Sequence, residues 1–277
     1  MANSHSCRWT YEEAVNYCYD IYFGNDNIKT GYHPPIATWR QAWKLLWTLH
    51  SETGNIWSHG IGMMIFIFYS LESLFNTEAF DYWIVLFFNF AHFAVFANST
   101  FYHWLHIFGK TWHHRLYCLD FCGIGLSIHA AHLSWIYDGL YAGPSLFKIY
   151  APIQVVILIW TLIVSYLICY SKMNVDSNQN IRIGLYLLQH FLIYVITGHV
   201  YLRNERSSLF AFECSSFILM AMACLIICII VYVSQVPESI WPGKFDTFFN
   251  SHQIMHLLVL MTSILERCHI NCLRRII

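Results

Sequence analysis

Long apolar runs dominate this chain and restrict what it can fold into. A helix needs about 20 mostly apolar residues to cross a bilayer, and several stretches of the sequence meet or approach that length. These stretches are residues 56–77, 83–108, 116–136, 146–170, 183–202, 209–234 and 251–272. The polar segments between them are too short for a second globular domain. We therefore predict an all-α membrane protein, a bundle of seven transmembrane helices.

The distribution of polar residues predicts two parts and an orientation. Residues 1–50 form an N-terminal region, and residues 51–277 form the membrane domain. Lys and Arg accumulate on the cytosolic side of membrane proteins. With a cytosolic N-terminus, nine of these residues fall inside and six outside. We therefore expect a multi-pass integral membrane protein with a cytosolic N-terminal region and an exoplasmic C-terminus. The sequence does not distinguish between the Golgi, the endoplasmic reticulum and the plasma membrane as its location.

Composition also excludes some classes of function. The formal net charge of −1 provides no basic stripe for nucleic acid. No inverted repeat of the kind found in secondary transporters is visible.

The ten cysteines include no CxxC pair, so we expect small side chains at helix contacts rather than a disulfide framework.

Two histidines at the start of the last apolar run suggest a metal site. His252 and His256 are four residues apart, and residues with this spacing share one face of a helix. Two imidazoles on one face can bind the same metal ion, as in the HExxH helix. Taken alone, the pair also fits side chains that reach interfacial water.

The second and third runs add polar groups at the same depth. Ser99 and His103 are one helical turn apart near the end of the second run, and Asp120 lies just inside the third. The second and seventh helices of the bundle run in opposite directions, so the end of one and the start of the other meet the same membrane face. His103 can therefore converge with His252 and His256. A carboxylate inside a span costs about 2.5–3.5 kcal/mol or more on insertion scales and usually has a partner in the bundle.

This set of side chains fits metal-assisted hydrolysis. Three neutral imidazoles suit Zn²⁺ and leave a fourth tetrahedral position for water, whose pKa the metal pulls toward about 7. Asp120 could accept its proton, and Ser99 could orient it. Such a site hydrolyses amides or esters, here with a substrate that arrives from lipid. A structural zinc site normally has four protein ligands, and Asp120 could also supply the fourth directly.

Four motifs carry a resemblance to a known family. They are TGYHPP at 30–35, HSETGNIWSHGIG at 50–62, STFYHWLH at 99–106 followed by LDFCGI at 119–124, and GKFDTFFNSHQIMHLLVL at 243–260. In this order they resemble the progestin and adipoQ receptor family, which includes the adiponectin receptors. Within it, the run VPESIWPGKFDTFFNSHQIMHLL and the motif LDFCG are most similar to the branch of the fourth mammalian member.

The resemblance implies a fold and an activity. It implies seven helices with a cytosolic N-terminus, and a zinc ion near the cytosolic side held by His103, His252 and His256. Ser99 and Asp120 would hold the zinc-bound water. Family members are associated with ceramidase-like hydrolysis, so ceramide or a fatty acid is the expected membrane partner.

Several family members are described as receptors, which keeps an alternative open. In it, the protein is a non-catalytic receptor or scaffold with structural zinc and a lipid cavity. A protein or steroid ligand and the oligomeric state stay open.

Other polar positions have expected roles of their own. The family pattern has Phe before the first histidine, and here Tyr102 adds a hydroxyl group near the metal. We expect Glu52 and Asn55 to cap the first span or tie the cytosolic loops. His92 lies about 16 Å deeper than His103 at 1.5 Å per residue, so we expect it to line a cavity or bond a neighbouring helix.

Overall fold

The computed structural model of this protein is almost entirely helical. It describes residues 8–18, 21, 25–75, 82–140, 144–170, 184–191, 195 and 208–274. The α-helices are α1 Tyr11–Tyr17, α2 Trp39–Leu45, α3 Thr53–Phe75, α4 Tyr82–Leu105, α5 Lys110–Leu140, α6 Pro144–Tyr170, α7 Ser208–Ser234 and α8 Ser251–Arg274. A 3-10 turn, His106–Phe108, continues α4, and residues 184–191 are also helical. No strand occurs in these described ranges, so the predicted all-α class is confirmed.

Four described helices are long and apolar enough to cross a membrane. They are Thr53–Phe75, Tyr82–Phe108, Lys110–Ser134 and Cys214–Ser234. They correspond to the first, second, third and sixth predicted spans.

The other predicted spans agree with the structure in part. Helix α6 covers the fourth, with an apolar portion at Pro152–Leu167. The fifth lies largely outside the described residues. Helix α8 covers the seventh, although its His, Glu and Arg residues make it the least apolar of the long helices. The seven-pass topology and the orientation of the termini stay predictions.

The chain divides into two compact units. The first consists of Met1–Ile61, Ala97–Asp120 and Leu225–Leu260, and the second consists of Gly62–Phe96, Phe121–Cys224 and Met261–Ile277. Every predicted site residue belongs to the first unit. The predicted division at residues 50 and 51 stays a prediction.

The N-terminal region packs onto helix ends within the first unit. Thr10 with Glu13 forms a capping box that starts α1, and Thr38 with Gln41 forms one that starts α2. A buried apolar cluster joins these helices to the end of α4 and the start of α5. Its members are Ala14, Ile21, Ile36, Ala42, Leu45, Leu105, Ile107 and Leu116. Five side chains of the N-terminal region therefore contribute to the core that holds the end of α4 in place.

The motif TGYHPP is fixed by one carboxylate. Asp246 accepts hydrogen bonds from the backbone N–H groups of Lys29 and Thr30, at 3.0 and 2.8 Å, and from the Thr30 hydroxyl at 2.7 Å. Gly31 follows with φ +92°, a conformation that favours glycine. Its carbonyl accepts from the Ser51 N–H at 2.9 Å. This segment is thereby held against the start of α3.

Polar contacts also determine where α8 begins. Asn250 Oδ1 accepts from the Gln253 N–H at 3.0 Å, as an N-cap residue does. The Gln253 amide nitrogen in turn donates to the Ser51 carbonyl at 3.1 Å. A Cβ atom on Gly54 would lie 2.3 Å from Gln253 Cδ, so a larger residue at position 54 would displace the Gln253 amide from these contacts. These contacts place the first turns of α8 beside the start of α3.

The second unit contains a buried contact between a histidine and a carboxylate, and a disulfide bond. His92 Nε2 lies 3.3 Å from Glu266 Oε2, and both side chains are buried, so the helix-bonding role expected for His92 is confirmed. Cys214 forms a disulfide with Cys272. The expectation that cysteines serve only at helix contacts is wrong for this pair, because the packing of α7 on α8 brings their Cα atoms within 5.6 Å.

Candidate metal centre

Helices α4 and α8 bring the predicted metal ligands together. His103 lies in the last turn of α4, whereas His252 and His256 lie in the first two turns of α8. One ring nitrogen from each of the three lies within 4.8 Å of the others, with His103 and His256 buried and His252 partly buried. The helical spacing and the depth argument thus predicted the cluster correctly.

One pair of nitrogens in this cluster has the separation expected of two ligands of a tetrahedral metal ion. Zn–N bonds of about 2.0–2.1 Å separate two coordinating nitrogens by roughly 3.3 Å. The Nε2 atoms of His103 and His252 are 3.4 Å apart. The ring centroid of His256 lies 4.8 Å from the centroids of both other rings. Three imidazoles are also a donor set that Zn²⁺ prefers, so these residues could hold a metal ion.

Residues at the N-terminal end of α3 place polar groups against two of the three histidines. Glu52 Oε2 accepts from His103 Nδ1 at 2.7 Å, and Ser58 Oγ lies 3.3 Å from His256 Nδ1. The ring of His59 stacks on that of His256, with centroids 3.6 Å apart. The sequence predicts that Glu52 caps the first span or ties the cytosolic loops, and it does not predict the contact with His103. The density of polar residues in HSETGNIWSHGIG, at the mouth of an apolar helix, was the available signal.

Ser99 and Asp120 stand beside the cluster. Ser99 is buried one turn before His103, and its hydroxyl lies 2.7 Å from His59 Nδ1. Asp120, in α5, is close enough to interact with both Ser99 and His103. Among the described residues, the group that could hold a metal does not include Asp120. The structure therefore brings all predicted site residues together, and the roles of Ser99 and Asp120 stay predictions.

Tyr102, the departure from the family pattern, packs beside the first ligand. Its ring lies edge-on to His103 with centroids 5.0 Å apart. It also contacts the rings of His106, His113 and Tyr117 at 5.4, 5.5 and 5.9 Å. The ring also packs against the apolar cluster of the first unit, and it therefore supports the end of α4.

Two titratable groups lie just before α3. Burial alone would raise the pKa of Glu52, but the hydrogen bond from His103 lowers this pKa below its ordinary value. Burial lowers the pKa of His50 to about 4, despite the attraction of the Glu52 charge. His50 Nδ1 accepts from the Glu52 N–H, and its Nε2 faces the Leu45 carbonyl, each at 3.2 Å. Both contacts suit a neutral imidazole.

Comparison with known proteins decides the family. The sequence matches the model of the family described as haemolysin-III related over residues 47–267. The chain belongs to this family. Progestin and adipoQ receptor-like protein 1 of Caenorhabditis elegans is 27% identical over 273 residues, which cover 95% of this chain and 61% of the relative. The adiponectin receptor protein of Drosophila melanogaster is 26% identical over 250 residues, covering 85% and 53%.

A human relative extends this agreement. Progestin and adipoQ receptor family member 3 of Homo sapiens is 24% identical over 262 residues, which cover 91% of this haemolysin-III-related chain and 81% of the relative. The predicted membership of the progestin and adipoQ receptor family is thus confirmed. The chain spans only 61% and 53% of the nematode and fly relatives. The four long apolar helices among its described residues and its relatives named as receptors identify an integral membrane protein. The assignment to the branch of the fourth mammalian member stays a prediction.

Proposed function

We propose that this protein holds Zn²⁺ on His103, His252 and His256 and hydrolyses the amide bond of a ceramide-type lipid within the membrane. The observation that carries the proposal is the approach of three ring nitrogens within 4.8 Å of one another, with Ser99 and Asp120 beside them. The largely buried position of this cluster, at the end of the apolar helix α4, suits a substrate that arrives from lipid.

The residues around the cluster have roles in amide hydrolysis. A bound zinc ion supplies Lewis acidity toward a carbonyl and lowers the pKa of water. Asp120 takes a proton from the water that adds to the amide carbon, and returns it to the nitrogen as the C–N bond breaks. The products are a fatty acid and an amine. Ser99 orients the attacking water through its hydroxyl, which His59 holds by a 2.7 Å contact.

The number of protein ligands favours a catalytic site over a structural one. Structural zinc sites are normally closed by four protein ligands, whereas catalytic sites keep one position open. Three histidines form the group here, and Asp120 lies outside it. The alternative function is a non-catalytic receptor or scaffold with structural zinc and a lipid cavity. The receptor names of the nematode and fly relatives support this alternative.

We also propose seven membrane passes with a cytosolic N-terminus and an exoplasmic C-terminus. The pairing of Cys214 with Cys272 supports this orientation, because disulfides persist in oxidising compartments. Cys272 lies at the C-terminal end of α8, and His252 lies at its N-terminal end. If α8 crosses the membrane, the histidines then face the cytosolic side.

Metal analysis and a hydrolysis assay on one preparation test the proposal. We expect the purified full chain to carry about one zinc ion and to release fatty acid from a ceramide substrate in detergent micelles. The double variant His252→Ala/His256→Ala should lose both properties, whereas His114→Ala, an exposed histidine, should keep both. Full zinc retention in the double variant would contradict the metal site. Zinc binding without hydrolysis in the wild-type protein would favour the receptor alternative.

A further inference from the structure

Glu52 contacts His103, a proposed metal ligand that lies on another segment of the chain. It is the residue immediately before α3, and its Oε2 lies 2.7 Å from the Nδ1 atom of His103 in α4. The His103 side chain is only 6% exposed, and that of Glu52 is 29% exposed. A charge-assisted hydrogen bond of this length is short and strong. The carboxylate therefore constrains the imidazole ring in the metal cluster.

The identity of the two atoms determines the tautomer of His103. An ionised carboxylate can only accept hydrogen bonds, so the Nδ1 atom that faces it must carry the hydrogen. A neutral His103 then has its lone pair on Nε2. That Nε2 atom is the one 3.4 Å from His252 Nε2. The contact with Glu52 thus turns the ligating nitrogen toward the cluster.

Asn55 in turn holds the carboxylate. Its side-chain nitrogen donates to the same Oε2 atom of Glu52 at 2.6 Å, and Asn55 is 3% exposed. The Glu52 backbone N–H is also bonded, to His50 Nδ1. Glu52 is therefore fixed at both its backbone and its carboxylate, as expected of a group that orients another side chain.

We infer that Glu52 is a positioning residue for His103, fixing its Nδ1–H tautomer and its ring orientation so that Nε2 is available to the metal. This inference rests on the proposed metal site. Hydrogen bonds to the outer nitrogen of a ligating histidine raise its basicity as well as orient it. Loss of such a partner typically weakens metal affinity by about 10–100-fold. A residue that only capped α3 would change stability and leave metal affinity unaltered.

Zinc affinity measured by competition with a chelator tests this role in the full chain. Glu52→Gln keeps the size of the side chain and a neutral acceptor, so we expect roughly tenfold weaker zinc binding. Glu52→Ala removes the acceptor, and we expect a loss nearer 100-fold. Glu12→Gln, which alters an exposed carboxylate in α1, is the matched control and should bind zinc like the wild type.

A second measurement needs no metal. Imidazole ¹⁵N spectra of the metal-free protein, with His103 assigned by His103→Gln, should show the Nδ1–H tautomer in the wild type and its loss in Glu52→Ala. Unchanged zinc affinity and an unchanged His103 tautomer in both Glu52 variants, even with a lower melting temperature, would overturn the inference. A wild-type protein that binds no zinc would instead overturn the proposed function, and the tautomer spectra would still decide whether Glu52 orients His103.

Discussion

The imidazole of His59 lies parallel to that of His256, with ring centroids 3.6 Å apart and planes 10° apart. The Nδ1 atom of the same His59 ring is 2.7 Å from Ser99 Oγ. One side chain in α3 thus supports a proposed metal ligand in α8 and a proposed water-orienting hydroxyl in α4. The geometry of the site depends on this ring even though it is not among the proposed ligands.

Two substitutions of His59 should distinguish the effect of its contact with Ser99 from the effect of its contact with His256. His59→Phe keeps a flat ring against His256 but loses the hydrogen bond to Ser99, which should cost about 0.5–1.5 kcal/mol of stability. Zinc occupancy should stay near that of the wild type. His59→Ala also loses the stacked ring, worth a further 0.5–1.5 kcal/mol or so, and should lower zinc occupancy. Melting temperature and zinc content, with His114→Ala as control, measure both effects. Equal behaviour of the alanine variants at positions 59 and 114 would contradict the bracing role.

Acid should destabilise the first unit through His50. Its folded-state pKa is about 4, below the ordinary value of 6.5, so between these values the unfolded chain binds a proton that the folded chain does not. Stability therefore falls as the pH is lowered through this window. The loss approaches roughly 3 kcal/mol, because one pKa unit corresponds to about 1.4 kcal/mol. Protonation would also remove the acceptor used by the Glu52 N–H.

His50→Gln tests this pH dependence directly. Glutamine can accept from the Glu52 N–H and donate to the Leu45 carbonyl without titrating. The melting temperature of this variant should fall less steeply than that of the wild type between pH 6.5 and pH 4. Parallel curves for the two proteins would assign the acid sensitivity to other groups.

The buried pair in the second unit should couple strongly. His92 Nδ1 lies 2.9 Å from the Phe88 carbonyl, which can only accept, so this nitrogen carries a hydrogen. The other ring nitrogen, His92 Nε2, faces Glu266 Oε2 at 3.3 Å. Removing one partner of a buried pair typically costs about 3–5 kcal/mol. We expect His92→Phe and Glu266→Leu each to be destabilising, and the double variant to lose much less than their sum. Additive losses in a double-mutant cycle would show that the pair is not coupled.

The sequence predicted the three clustered histidines better than it predicted the residues that contact them. Helical spacing places His252 and His256 on one face of a helix, and the direction of the spans brings His103 to the same depth. Glu52 and Ser58 were missed because their partners lie 51 and 198 positions away. Periodicity identifies the faces of a helix, but packing decides which faces meet.

The cysteines and α8 show the same limit. Nothing in the spacing distinguishes Cys214 and Cys272 from the other eight cysteines, because a disulfide depends on which helices are neighbours. In α8, polar residues such as Glu266 and Arg267 lower the hydropathy of a predicted span. Both of these side chains are buried. Composition shows that the span contains these polar residues but does not show which buried groups they contact.

Labelling in intact cells tests the proposed topology. An epitope tag placed before Thr10 should be protected from an impermeant antibody, and a tag placed after Ile277 should be accessible at the exoplasmic side. In the full chain without reductant, Cys214 and Cys272 should resist thiol alkylation, because they are paired. The reverse accessibility of the two tags would place the histidine cluster at the exoplasmic side and contradict the proposed orientation.

Asp120 provides the sharpest test of catalysis. Asparagine has nearly the same shape as aspartate but cannot accept a proton at neutral pH, so Asp120→Asn should keep the fold and most of the zinc. General-base catalysis is typically worth about 10²–10⁴-fold in rate. Release of fatty acid from a ceramide substrate should fall by that order. Removing a ligand, as in His252→Ala, should instead abolish both zinc binding and turnover.

To compare Asp120→Asn with the wild type, zinc content, melting temperature and turnover must be measured on one preparation of each protein. If Asp120 only braces α5 against Ser99, the asparagine variant will melt earlier, while its turnover per zinc-loaded molecule will equal that of the wild type. That result would exclude the general-base role, since Ser99 would still be present to orient water without a proton acceptor beside it. A large fall in turnover at unchanged zinc content and melting temperature would assign proton transfer to the carboxylate of Asp120, because the substitution removes its basicity and almost nothing else.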